Sequence, residues 1–378
     1  MIFLILITNY IVIIGCFIFG IDRLKNTSEI LNEEESLKTC TSFSIVVPFR
    51  NEAKRLPALL RSIAELAYKP EYFEVLLIND ASTDDSVKVI KEFMREFPVL
   101  TISVADNIRT SIAPKKDAIT TAINLAKHEW IITTDADCLL PRLWLQSFHS
   151  FILKTKVEFI VAPVIYKTSS SFIDQYQLLD VLSLQGITIG SFGLGKGLLC
   201  NGANLAYTKT LFKALNGFEN NKHIASGDDI FMLENVQFQF PEKVGYLANK
   251  EAIVTTFPAT SWKALISQRV RWAKKTGKQK SSLIKLIGLI VFAANLAVLL
   301  LPFYFFLYQE SLWFGISALI IKIIIDYLLL QKSGQFFGRN ISVVHVFIHF
   351  YSYALISTWV VLKSLFTNYT WKDRVHRH

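Results

Sequence analysis

Four short stretches of this sequence combine residue types and spacings that can do chemistry. Asp135-Ala136-Asp137 directly follows the apolar run Trp130-Ile131-Ile132, so both carboxylates emerge at a strand end where a divalent ion and a diphosphate can sit. Mg²⁺ is commonly held by one or two carboxylates plus phosphate oxygens, and this spacing allows it. Taken alone, such a pair is equally a turn or a helix cap. Asp80 lies in Ile78-Asn79-Asp80-Ala81-Ser82-Thr83-Asp84-Asp85. Asp84 or Asp85 is the better cap for a helix beginning near Ser86, which leaves Asp80 for a ligand. Gly227-Asp228-Asp229 places two carboxylates side by side. Their repulsion raises the proton affinity of the pair and can poise one as a general base, although a helix N-terminus also favours acids. In Gln268-Arg269-Val270-Arg271-Trp272, Gln268 and Arg271 are three apart, share a helix face and can reach one anion. A basic amphipathic helix resting on headgroups is the alternative.

Something must carry these groups. Residues 43–47 form a β-branched run ended by Pro48, which predicts a buried strand. A period near 3.6 in Leu56, Leu59, Leu60, Ile63 and Leu66 predicts a helix. Further strands are predicted over 73–78, 100–104 and 130–134, with helices over 86–97 and 115–127. Such alternation argues for a parallel sheet, whose ligand site lies beyond the carboxyl ends of the strands. Arg50, Asn51, Glu52, Asn79, Asp80, Asp135 and Asp137 all fall there.

The chain has 378 residues, 52% hydrophobic and 19% charged, too apolar for an ordinary soluble protein and too charged to be all membrane. Residues 1–21 carry no charge and are long enough to span a bilayer. A signal peptide would place small residues where Phe17-Ile18-Phe19 stand. Residues 22–42, with the acidic run 33–35, read as a linker. Residues 43–282 form the expected cytoplasmic domain, 283–366 a membrane region of about three segments, and 367–378 a basic tail. Of the three, 286–309 is a plain span. Residues 312–330 hold Lys322 and Asp326, which can pair within a bundle or sit at the interface. Residues 341–362 hold His345 and His349 on one face, which suits polar packing better than a metal.

Arg23 and Lys25, and the basic residues from Arg269 to Lys285, put the domain between them on the cytoplasmic side of an inner membrane. A fourth crossing would put Lys363, Lys372, Arg374 and Arg377 outside, so the side of the tail stays open. The net charge of +9 gathers beside the spans and suits anionic lipid rather than nucleic acid. Cys16, Cys40, Cys138 and Cys200 show no paired spacing.

Together these residues resemble glycosyltransferase family 2, in particular membrane-bound members such as bacterial poly-N-acetylglucosamine and cellulose synthases and ceramide glucosyltransferase-like enzymes. The likeness runs from about Ser44 to Trp272 in motif order. It implies an α/β, GT-A-like and Rossmann-like domain flanked by transmembrane helices. Pro48, Asn51, Glu52 and Asp80 would then serve the nucleotide, with Lys115 near it in a segment where Pro114 replaces the family's usual glycine. Asp135 and Asp137 would hold Mg²⁺ or Mn²⁺ and the diphosphate. Asn201, Gly202 and Asn204 would line the donor sugar and acceptor side, with Gln268, Arg271 and Trp272 as the family's Q-x-x-R-W motif. Asp229 takes the base position, and Asp228 stands where the family usually has glutamate. The implied reaction is inverting transfer of a hexose or N-acetylhexosamine from a UDP-linked donor to a membrane lipid. A processive polysaccharide synthase is the alternative, for which so few spans suggest oligomerisation. A transporter and a catalytically silent nucleotide-sugar-binding subunit are the readings from other classes.

Overall fold

The computed structural model describes residues 2–24, 40–307, 312–367, 369–371 and 374–376. Its first elements are α1 (Ile2–Arg23), β1 (Phe43–Phe49), α2 (Leu56–Ala64), β2 (Phe73–Asn79), α3 (Ser86–Glu96), β3 (Ile102–Asp106), α4 (Pro114–Leu125), β4 (Trp130–Thr133) and α5 (Trp144–Lys154). They are followed by β5 (Phe159–Val161), β6 (Val164–Tyr166), α6 (Phe172–Gly193), β7 (Leu205–Thr208), α7 (Lys209–Ala214), α8 (Asp228–Gln239), β8 (Val244–Tyr246) and β9 (Val254–Thr256). The chain ends in α9 (Trp262–Lys278), α10 (Ser282–Leu307), α11 (Leu312–Phe336), α12 (Val343–Phe366), β10 (Tyr369–Trp371) and β11 (Arg374–His376). Packing divides these into two compact units.

The α/β unit comprises Lys25–Ile165 and Leu199–Phe257. Its seven-stranded sheet has the order β3-β2-β1-β4-β7-β5-β8. Strands β3, β2, β1 and β4 are parallel, as their alternation with helices predicts. β7 runs antiparallel to both β4 and β5, so the sheet is mixed rather than wholly parallel. No periodicity in the sequence reveals the direction of a four-residue strand. The central strands are apolar along their length because helices cover both faces: Phe43, Ile45, Val46 and Val47 of β1 are fully buried, as are Val75, Leu77 and Ile78 of β2. On α2 the predicted stripe of Leu56, Leu59, Leu60 and Ile63 is fully buried.

β1 continues through Pro48 to Phe49, two residues beyond the predicted end. The Val46 carbonyl accepts the Thr134 N–H, so Pro48, two residues on, turns its missing N–H to the same side. The β4 partnership has already ended there, at Val46 opposite Thr133, so the proline costs no ladder bond.

The helical unit comprises Met1–Leu24, Tyr166–Leu198 and Pro258–His378. α6 and α9, which fall within the expected 43–282 domain, pack with the terminal helices. α6 and α1 meet through glycines: a Cβ on Gly190 would run into the Phe17 carbonyl, and one on Gly20 into the Gly190 carbonyl. Small residues permit such close backbone approach where apolar side chains cannot drive association. α1 over Ile5–Arg23, α10 over Ser282–Phe303 and α12 over Val343–Phe366 are long and apolar enough to cross a membrane. On α11, Lys322 Nζ lies 2.7 Å from Asp326 Oδ2, the predicted pairing, and Tyr10 of α1 donates to Asp326 Oδ1 at 2.6 Å. His349 is buried, with Phe172 4.4 Å away ring to ring, while His345 is exposed, so the two do not share a ligand site.

Candidate active site

The carboxyl ends of β1, β2 and β4 lie side by side because the three strands are parallel neighbours. β7 runs the opposite way beside β4, with Leu205 opposite Thr133, so the loop that precedes it arrives at this same edge. Thr133 fixes that loop, its hydroxyl donating to the Gly202 carbonyl at 2.7 Å. The antiparallel strand is therefore what brings Gly202 to the acids.

Asp135 and Asp137 emerge just past β4, and each carboxylate meets a cation. Lys115 Nζ, from the first turn of α4, lies 2.8 Å from Asp135 Oδ1 and 3.3 Å from Asp228 Oδ2. Burial opposes the charge on Lys115, yet Asp135 and Asp228 outweigh it and hold the ammonium well above the usual lysine range. Asp137 Oδ2 accepts Arg55 Nη1 at 2.8 Å, and the Arg55 guanidinium also faces the Phe257 ring at 5.7 Å.

Asp228 and Asp229 open α8, after Gly227 in the left-handed region at φ 86°. Gly202 N–H donates to Asp229 Oδ2 at 3.2 Å and Ile230 N–H to Oδ1 at 2.7 Å. A Cβ on Gly202 would stand 3.0 Å from Asp228 Oδ2 and 3.3 Å from Lys115 Nζ, so glycine lets this loop come so near. Lys116 turns the other way and is buried, donating to the Asn221 carbonyl and side chain, both at 2.7 Å, and to the Ile224 carbonyl at 3.0 Å. Those bonds pin the loop that leads into Gly227. Adjacent helical residues diverge by about 100°, so one lysine serves the acids and the next serves the fold.

At the β1–β2 edge, Asp80 is buried and accepts Asn107 Nδ2 at 2.8 Å and Arg109 Nη1 at 3.0 Å. It is not a helix cap, since Asp84 Oδ1 accepts the Ser86 N–H at 3.1 Å. Asn51, at φ 54°, accepts the Thr83 N–H at 2.8 Å, and Glu52 N–H donates to Ser86 Oγ at 2.8 Å, which ties the turn after Pro48 to the turn after β2.

Asn204 requires a correction. It is completely buried, donating to the Pro163 and Ala252 carbonyls at 2.7 and 2.8 Å and accepting Trp144 Nε1 at 2.9 Å. It braces the loop from beneath rather than lining a ligand, whereas Gly202 of that trio stands beside Asp228 and Lys115. Asn204→Leu leaves Trp144 Nε1 and the Ala252 carbonyl unsatisfied, each costing about 1–3 kcal/mol, while the Pro163 carbonyl keeps the Val254 N–H. A large fall in Tm in detergent is expected, with unchanged donor KM in whatever folded fraction survives.

Gln268, Arg271 and Trp272 belong to α9 of the helical unit. The buried member of that stretch is Arg269, whose place in a basic juxtamembrane run gives no sign of burial. Arg269 Nε lies 2.5 Å from Asp180 Oδ2 on α6, Nη1 donates to Gln268 Oε1 at 2.6 Å, and the guanidinium stacks 4.2 Å from the Trp272 ring. Arg55, Arg109 and Arg269 had no spacing to reveal them, because each meets an acid distant in sequence.

The oxygen-only donors Asp135 and Asp137, partly open with side-chain exposures of 38% and 28%, fit a hard divalent cation. Among the described residues no three His, Cys, Asp or Glu side chains group as a metal site, so phosphate and water oxygens would supply the remaining ligands.

The mixed α/β sheet, with this acidic carboxyl edge, is of the GT-A type. The chain carries a Glycosyl transferase family 2 domain, matched over residues 44–215. It is 22% identical over 234 residues to glycosyltransferase AglE of Haloferax volcanii, covering 61% of this chain and 71% of that one. It is 21% identical over 270 residues to the poly-beta-1,6-N-acetyl-D-glucosamine synthase of Staphylococcus epidermidis, covering 69% of this chain and 61% of the synthase. Among solved structures, the mannosyltransferase PcManGT of Pyrobaculum calidifontis, in complex with GDP-Man and Mn²⁺, shares the fold with TM-score 0.59 at 16% identity, covering 96% of this chain and 98% of that one.

Proposed function

We propose that this chain is an inverting glycosyltransferase that moves a hexose or N-acetylhexosamine from a nucleoside-diphosphate sugar, UDP-linked, onto a membrane lipid. The carrying observation is the placement of Asp229, held by two backbone N–H groups beside the Asp228–Lys115–Asp135 ion-pair chain. A carboxylate so fixed can take the proton of an acceptor hydroxyl as that oxygen attacks the anomeric carbon. The sugar then passes through an oxocarbenium-like state, and the nucleoside diphosphate leaves from the opposite face. Lys115 and Arg55 offer positive charge to the leaving diphosphate. Asp135 and Asp137 would hold Mg²⁺ or Mn²⁺, which supplies Lewis-acid neutralisation of that leaving group. Asp80 and Asn51 would receive the nucleoside, and Asn201 and Gly202 the sugar. Gln268, Arg271 and Trp272 are assigned to the diphosphate and acceptor by the family resemblance.

The candidate membrane-spanning helices are the reason for preferring a lipid acceptor and an inner-membrane, multi-pass arrangement with the α/β unit in the cytoplasm. Synthesis of a polymer is the second reading, favoured by the long match to the poly-N-acetylglucosamine synthase. Membranes containing the chain, given radiolabelled UDP-glucose or UDP-N-acetylglucosamine with Mg²⁺ or Mn²⁺, separate the two. Label in the lipid extract supports the glycolipid reading, while label in insoluble polymer replaces it with the synthase.

A further inference from the structure

The geometry points to Arg55 as a counter-ion gate on the metal site, a positioning residue that makes metal binding depend on the nucleoside diphosphate. The inference rests on the proposed donor and metal assignment and adds a residue and a rule to it. Arg55 Nη1 meets Asp137 Oδ2 at 2.8 Å, just as Lys115 Nζ meets Asp135 Oδ1 at 2.8 Å, so each of the two candidate metal ligands has a protein cation against one oxygen. A divalent cation arriving alone must compete with both for the same carboxylates and is repelled by both. Lys115 has a second acid to turn to, Asp228 at 3.3 Å. Arg55 is the more exposed partner, a guanidinium with 39% side-chain exposure against 20% for Lys115, whose fork matches a phosphate as well as it matches a carboxylate. When a diphosphate enters, the guanidinium can exchange Asp137 for phosphate oxygens, which releases the carboxylate and turns repulsion into shared attraction for one anion. Metal and nucleotide then bind with positive coupling, and the coupling is reciprocal.

The test titrates Mn²⁺ into the purified full-length chain in detergent, reading free Mn²⁺ by electron paramagnetic resonance with and without UDP. For the unaltered chain, UDP is expected to tighten Mn²⁺ binding about tenfold, a usual size for coupling. Arg55→Gln should bind Mn²⁺ alone several-fold more tightly and show a several-fold smaller UDP effect, the remainder coming from phosphate oxygens on the metal, whereas Arg55→Lys, which keeps the charge, should retain the full effect. If Arg55→Gln leaves both Mn²⁺ affinities unchanged while UDP coupling persists, the gate is wrong and the proposed function stands. Loss of coupling in Arg55→Lys equal to that in Arg55→Gln also overturns it, because charge would not be the cause. If the unaltered chain takes up no Mn²⁺ with UDP present, the metal assignment falls and the gate with it.

Discussion

Asp229→Asn is expected to lower kcat for sugar transfer by about 10²–10⁴, the usual contribution of a positioned general base. The substitution is chosen for what it keeps. An asparagine still offers an oxygen to one of the N–H donors, Gly202 or Ile230, and leaves Lys115 with both Asp135 and Asp228. Donor binding should therefore survive, and UDP affinity measured by calorimetry should stay near that of the unaltered chain. The competing explanation is that Asp229 is only an acid at the start of α8, favoured by the helix dipole. That term is worth about 0.3–1 kcal/mol of stability and nothing in chemistry. Thermal unfolding and single-turnover transfer measured together separate the two. A small shift in Tm with transfer lost supports the base, whereas undiminished transfer removes Asp229 from the mechanism.

The acids of this candidate site stand out in the sequence because each follows a recognisable local signal: Asp135 and Asp137 after an apolar strand, Asp80 past a strand and apart from the capping acids, the pair Asp228 and Asp229 after a glycine. Parallel β1 to β4 were legible for the same reason, since alternation and apolar runs are local properties. What escaped depends on long-range placement. The antiparallel direction of β7 is set by what it pairs with, and it decides that Gly202 stands beside Asp228. Asn204, three residues after Asn201, reads as part of one polar motif, yet it lies in the bend before β7 and its bonds to Trp144 and the Pro163 carbonyl draw it inward. α6 lies between two stretches of the α/β unit in the chain but packs on α1, and its only sequence trace is the glycine spacing at 186, 190 and 193. Of the neighbouring lysines 115 and 116, one faces the acids and the other is buried under the Gly227 loop, a division no local pattern marks.

Arg269→Met is expected to destabilise the chain by about 3–5 kcal/mol, the usual result of stripping a buried ion pair of one partner. Both Arg269 and Asp180 have only 9% side-chain exposure, so the carboxylate left behind has little water to reach. The loss should appear as a marked drop in Tm in detergent. Replacing both, as Asp180→Leu with Arg269→Met, should recover most of it, because an apolar pair of similar volume carries no charge to desolvate. The double variant then isolates a second effect. Arg269 also holds the Gln268 amide by a 2.6 Å bond and stacks 4.2 Å from the Trp272 ring, so two residues of the Q-x-x-R-W motif take their orientation from it. A double variant that regains Tm but remains deficient in transfer would show that orienting this motif matters to turnover apart from folding. Recovery of both would mean the ion pair serves stability alone. A single variant as stable as the unaltered chain would contradict the buried pairing itself, since a carboxylate abandoned between α6 and α9 cannot be without cost.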